Sequence, residues 1–314
     1  MAYAVDPEVN LALTAMVDAL GDVEAPARDD VKAVRANGDK TFTYLAGIVP
    51  PSPNVRTAHF LATADDGAAI SLRWYTRNDE SPGSAVVYAH GGGMIMGSVD
   101  HYHSWVAWYV EQTGIPFLAV EYRLAPEVTG TTPMTDTLAG LCWLMDNASA
   151  HGVDPARIAI MGDSAGGGIA AAVAILAREQ NIPIARQLLI YPMLDDQAAP
   201  QLALAPFATW TYDDNYTGWH ALLGDAYGSD DVSPVSAPAR LTDHTGLPPA
   251  YVEVGDLDLF RDEDIAYARA LSRAEVPVEF HLHPGGPHGY DRVAPQSDLA
   301  RRVFADRIRV LRTL

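Results

Sequence analysis

Strand-like and helix-like runs alternate along most of this chain. Short apolar runs at 60–64, 69–75, 85–90, 117–122, 158–162, 188–192, 250–255 and 278–283 have the length and composition of β-strands. The first two, joined across Asp65-Asp66-Gly67, read as a hairpin. The later runs alternate with helical patterns around 101–112, 135–150, 165–180, 262–273 and 296–311. Neighbouring parallel strands need a long crossover, usually a helix, so this order predicts an α/β fold with a largely parallel sheet covered on both faces.

Two segments stand outside the alternation. Residues 1–48 are mostly helical in pattern, and 195–246 are rich in Trp, Tyr, Ala and Pro and too long for an ordinary connection. The expected organisation is a core from 49–194 and 247–314, with a helical cap assembled from 1–48 and 195–246. A chain of 314 residues suits one large domain with such an insert.

Composition excludes several classes of function. Forty Asp and Glu against 21 Lys and Arg give a formal charge of −19, which repels phosphate backbones and anionic lipid, so neither nucleic acid nor a membrane surface is an expected partner. No apolar run is long enough to span a bilayer. The first twenty residues lack a basic region and carry Asp6, Glu8 and Asp18, which predicts an amphipathic helix rather than a signal peptide and a cytoplasmic location. The single cysteine, Cys142, excludes an internal disulfide framework and a thiolate-rich metal site; beside Leu141, Trp143 and Leu144 it reads as a buried structural thiol. No cofactor and no metal are expected.

The segment Gly162-Asp163-Ser164-Ala165-Gly166 fits G-x-S-x-G, and alone it is ambiguous, because serine is also a preferred helix N-cap. Its setting favours a nucleophile. A strand-like run precedes Ser164 and a helix-like run follows, the arrangement that holds a serine on a sharp turn at the end of a parallel strand. Gly162 and Gly166 leave that turn uncrowded, and Asp163 is a structural flank pointing away from the hydroxyl.

A serine nucleophile needs oxyanion donors, a base and an orienting acid. His90-Gly91-Gly92-Gly93 follows the third strand, and glycines there let backbone N–H groups approach a substrate oxygen. Gly91 and Gly92, with Ala165, are the predicted donors, and His90 is read as a structural brace. Among ten histidines, His288 lies just past the last strand in a turn that can reach the sheet's C-terminal edge. His281 and His283 fall inside that strand, and His101, His103, His151, His220 and His244 lack comparable support. The acid is expected after the strand at 250–255, where spacing leaves Asp256 and Asp258 both open.

Taken in order, HGGG (90–93), YRLAPE (122–127), GDSAGG (162–167), YPMLD (191–195), DLFRDE (258–263) and HGY (288–290) resemble the hormone-sensitive-lipase-like, or family IV, esterases of the α/β-hydrolase superfamily, from about Val55 to the C-terminus. The resemblance implies an eight-stranded, mostly parallel sheet and a helical cap from an N-terminal segment and an insert. It implies Asp258 as the acid, completing Ser164, Asp258 and His288. It further implies hydrolysis of a small-molecule ester through an acyl-enzyme, with a lactone as the alternative substrate. Two departures bear on the pocket: Met94 stands where an aromatic residue often follows the glycines, and EVTGTTPMTD (127–136) replaces the usual stretch after YRLAPE. Cap aromatic residues including Trp210, Tyr212 and Trp219, together with Met94, are the expected pocket lining. A non-catalytic receptor on the same fold is the competing class, and the presence of all three triad residues argues against it. The amphipathic final helix is expected to pack the sheet edge, with a homodimer contact as the alternative.

Overall fold

The computed structural model describes residues 3–21, 24–77 and 83–314; parts of the expected cap segment at 1–2 and 22–23, and of the core at 78–82, lie outside the described residues. Strands β1 (Val55–Thr63), β2 (Ala69–Arg77), β3 (Ala85–Ala89), β4 (Phe117–Glu121), β5 (Ile158–Asp163), β6 (Gln187–Ile190), β7 (Ala250–Gly255) and β8 (Val278–His283) form one eight-stranded sheet. Its order is β1-β2-β4-β3-β5-β6-β7-β8. The β1–β2 and β2–β4 pairs are antiparallel, and the pairs from β4 through β8 are parallel. All eight apolar runs become strands. β1 starts five residues before its run because it is an edge strand, exposed over most of its length, and carries little apolar signal.

The helices are α1 (Pro7–Leu20), α2 (Val31–Gly47), α3 (Val99–Thr113), α4 (Thr132–Asn147), α5 (Ala165–Glu179), α6 (Tyr212–Leu223), α7 (Arg261–Arg273), α8 (Tyr290–Val293) and α9 (Asp298–Leu311). Alternate residues of the central strands feed two cores. Val87, Ala89, Ile158 and Ile160 pack with α4 and α5, whereas Val86, Tyr88, Ala159 and Met161 pack with α3 and α9. This two-sided burial is why the strands read as continuous apolar runs. The run Ala170, Ala171, Ala172, Val173 and Ala174 is fully buried, and its small side chains let α5 lie close to the sheet.

Strand order positions the site. From β3 the chain goes to β4 on one side and later to β5 on the other, and such a reversal opens a crevice at the carboxyl ends of the strands. Ala89 pairs with Gly162, so the loop after β3 and the turn after β5 leave the sheet side by side.

The N-terminal helices meet the insert. Arg28 bonds Asp213 at 2.5 Å, the Asp29 amide donates to Thr217 at 3.0 Å, and Asp29 pairs with His220 at 2.6 Å. Helix α9 packs on the sheet, burying Arg307 between Glu253 and Asp291. Cys142 is a free, half-buried thiol whose pKa is raised by burial. Among the described residues no helix is long and apolar enough to cross a membrane.

Candidate active site

Ser164 occupies the turn between β5 and α5 with φ 55° and ψ −125°, a region that non-glycine residues rarely visit. It stands at the N-cap position, yet its side chain makes no capping hydrogen bond. The hydroxyl instead lies 2.9 Å from His288 Nε2. Tight backbone crossing explains the flanking glycines: a Cβ on Gly162 would run into the Gly166 carbonyl, and one on Gly166 into the Ala89 carbonyl.

His288 sits between β8 and α8, its ring edge-on to Tyr191 at 4.9 Å and Phe260 at 5.0 Å. Its Nδ1 is 2.8 Å from Asp258 Oδ2. Asp258 is fully buried and also accepts the Phe260 amide at 3.0 Å. An ionised carboxylate can only accept, so Nδ1 carries the proton and Nε2 is left to accept from the serine hydroxyl. Asp256 turns elsewhere and accepts the Gly285 amide at 2.7 Å. The insert reaches the same loop, since the Thr209 hydroxyl donates to the His288 carbonyl at 2.6 Å.

Gly92 and Gly93, with φ 125° and 60°, line the cavity beside Ser164, and Gly91 does not. Gly91 is packed into the wall behind: its amide faces the Tyr102 hydroxyl, and a Cβ there would lie 2.7 Å from that oxygen and 3.0 Å from the Asp163 carboxylate. Ala165 supplies the first amide of α5. Among the described residues, the amides of Gly92, Gly93 and Ala165 have no acceptor within the chain. His90 braces the loop as expected. Its Nδ1 lies 2.9 Å from the Gly91 carbonyl, its ring stacks on Tyr122 at 4.2 Å, and burial pushes its pKa down to about 4. Arg35 of α2 ties the same loop from outside, donating to the Ile95 carbonyl at 2.6 Å and the Ala125 carbonyl at 2.9 Å.

A cavity of about 190 Å³ opens over Ser164. Of the predicted lining, Trp210 is on its wall, and Met94, Tyr212 and Trp219 are not. Met94, at φ 61°, is fully buried under the loop. Trp219 is fully buried in the core, and the Tyr212 hydroxyl is engaged by the backbone of Gln201 at 2.9 and 3.1 Å. The lining that sequence reasoning missed comes largely from the N-terminal helices, through Met16, Thr41, Phe42 and Leu45, and from Met96, Tyr191 and Arg292. Arg292 carried a local signal, a cation four residues after His288 in the segment Tyr290-Asp291-Arg292-Val293-Ala294.

Asp163 faces a buried network. It accepts from the Tyr88 hydroxyl, from Tyr102 at 3.2 Å and from Arg292 at 3.0 Å. One group of potential metal ligands is found among the described residues, Glu279, His281 and Asp306, and Arg309 already bonds both of its carboxylates.

A family model described as the alpha/beta hydrolase fold matches residues 86–292. The esterase LipI of Mycobacterium tuberculosis is 36% identical over 249 residues, covering 77% of each chain. The carboxylesterase NlhH of the same organism is 33% identical over 294 residues, covering 90% of this chain and 89% of its own. A solved bacterial heroin esterase superposes with a TM-score of 0.89 at 33% identity, covering 99% of this chain and 98% of that one. The chain belongs to the α/β-hydrolase fold family, in its hormone-sensitive-lipase-like branch. It is a carboxylic ester hydrolase.

Proposed function

We propose that this chain hydrolyses small, fairly apolar esters through an acyl-enzyme on Ser164, with His288 as base and Asp258 as orienting acid. The observation that carries this reading is the hydrogen-bonded line from Ser164 Oγ through His288 to Asp258, at 2.9 and 2.8 Å. As Oγ attacks the ester carbonyl, its proton passes to Nε2, and the buried Asp258 carboxylate stabilises the imidazolium. The amides of Gly92, Gly93 and Ala165 receive the oxyanion, and each such donor contributes about 3 kcal/mol in the transition state. Collapse breaks the bond to the leaving alcohol, which takes the proton from His288. Water then repeats the sequence, giving its proton to His288, adding to the acyl carbonyl and releasing the acid and Ser164.

Residues 1–48 and 195–246 act in this reading as a cap over a core of 49–194 and 247–314. Supporting it, Thr41, Phe42, Thr209 and Trp210 come from those segments and line the cavity. A volume of about 190 Å³ suits short groups. The test is a p-nitrophenyl ester series from acetate to dodecanoate beside a lactone panel. The expected result is the highest kcat/KM between acetate and hexanoate, falling by about tenfold or more at dodecanoate; a maximum at dodecanoate, or on the lactones, would overturn it.

A further inference from the structure

Most hydrogen-bond donors on the cavity wall are already committed inside the protein. The Thr41 hydroxyl donates to the Asn37 carbonyl, Thr209 to the His288 carbonyl, Tyr102 to Asp163 and Tyr191 to Asp291. Arg292 is different. Its guanidinium lies 4.0 Å over the Tyr102 ring, and it spends one nitrogen, Nη2, on both Tyr88 and Asp163 at 3.0 Å each. Its Nε and Nη1 make no hydrogen bond among the described residues, and neither is a fully enclosed orphan. The side chain lines the same cavity as Ser164. A guanidinium has five N–H donors in a fixed plane, so three remain for something that enters the cavity.

We propose that Arg292 is a specificity-determining residue, donating to a second, neutral carbonyl oxygen carried by the substrate away from the scissile ester. The preferred substrates are then keto-esters and diesters rather than plain alkanoates. This rests on the Ser164 reading above and adds a substrate class to it. A neutral acceptor fits better than a carboxylate because Asp163 already balances the arginine's charge. A second anion would enter a largely apolar cavity with no cation left to pair with it.

Two matched pairs of esters test the proposal, one with the ketone in the acyl group and one with it in the alcohol. They are p-nitrophenyl 4-oxopentanoate against pentanoate, and 2-oxopropyl butanoate against propyl butanoate. Each kcat/KM ratio is divided by the same ratio for hydroxide hydrolysis, which removes the ketone's effect on intrinsic reactivity. A hydrogen bond to a charged donor predicts a corrected preference of about tenfold or more in at least one pair. Arg292→Met should bring that preference to within about twofold of unity. If Arg292→Met does not fold, the double variant Arg292→Met with Asp163→Asn removes both charges together and is read the same way.

Corrected ratios near unity in both pairs overturn the proposal, as does a preference that survives in the variants. So does faster hydrolysis of the p-nitrophenyl ester of hydrogen succinate than of the 4-oxopentanoate. Failure of the Ser164 reading looks different, because Ser164→Ala then still hydrolyses the four esters at rates close to the parent's.

Discussion

Asp256 and Asp258, two residues apart on one loop, serve different partners: Asp258 Oδ2 lies 2.8 Å from His288 Nδ1, whereas Asp256 Oδ1 accepts the Gly285 amide at 2.7 Å. Removing the acid's charge frees the imidazole to adopt the wrong tautomer. Asp258→Asn should therefore lower kcat by roughly a thousandfold or more. Asp256→Asn keeps an oxygen for the Gly285 amide and should stay within about threefold of the parent. Steady-state kinetics on p-nitrophenyl butanoate separates the two, and the reverse ranking would move the acid to Asp256.

Backbone packing at the turn gives a second expectation. Gly162→Ala drives a Cβ into the Gly166 carbonyl, so it should cost about 1–3 kcal/mol of stability and most of the activity. Gly47, at the end of α2, has open space around it, and Gly47→Ala should be neutral or stabilising by up to about 1 kcal/mol. Chemical denaturation of both variants checks the contrast.

Two buried histidines make acid stability titratable. Burial pushes the pKa of His90 and of His283 down to about 4 from the ordinary 6.5. Between those values the unfolded chain binds protons that the folded protein does not. Their contribution is therefore complete above about pH 6.5 and is lost as pH falls towards 4, on the order of 2 kcal/mol per histidine at about pH 5. Melting temperature measured between about pH 7 and pH 5 should fall, and His283→Gln should flatten the slope. A flat profile for the parent would contradict this.

Arg35 links the N-terminal segment to the glycine loop, donating to the Ile95 and Ala125 carbonyls and forking onto Glu127. Arg35→Ala should lower kcat/KM by about tenfold through loss of loop order. Glu127→Gln should change it less than about threefold, because that carboxylate is mostly exposed. Equal losses in the two variants would place the effect in the ion pair instead.

Legibility in the sequence follows from periodicity and chain order. The eight strands are readable because most are buried on both faces, and Ser164 and His288 stand out as candidates because each follows a recognisable strand; the same criterion leaves Asp256 and Asp258 equal, and only the family resemblance singles out Asp258. Gly91 and Gly93 could not be ranked from the letters, since three consecutive glycines differ only in φ and in what lies behind them. The Tyr102 hydroxyl behind Gly91 comes from α3, a later element. The pocket was legible only at Trp210. Aromatic residues in an insert serve packing as readily as lining, and Trp219 packs. Met16, Thr41, Phe42 and Leu45 reach the cavity only because α1 and α2 fold back over the sheet, a long-range placement with no local signature.

Nucleophilic catalysis by Ser164 is checked by intact and peptide mass spectrometry after reaction with a fluorophosphonate probe, paired with the kinetics of Ser164→Ala. The expected result is a single adduct on Ser164, none on the Ser164→Ala protein, and a loss of esterase activity of roughly a thousandfold or more in that variant. Labelling at another residue, or activity of Ser164→Ala within about tenfold of the parent, would contradict it.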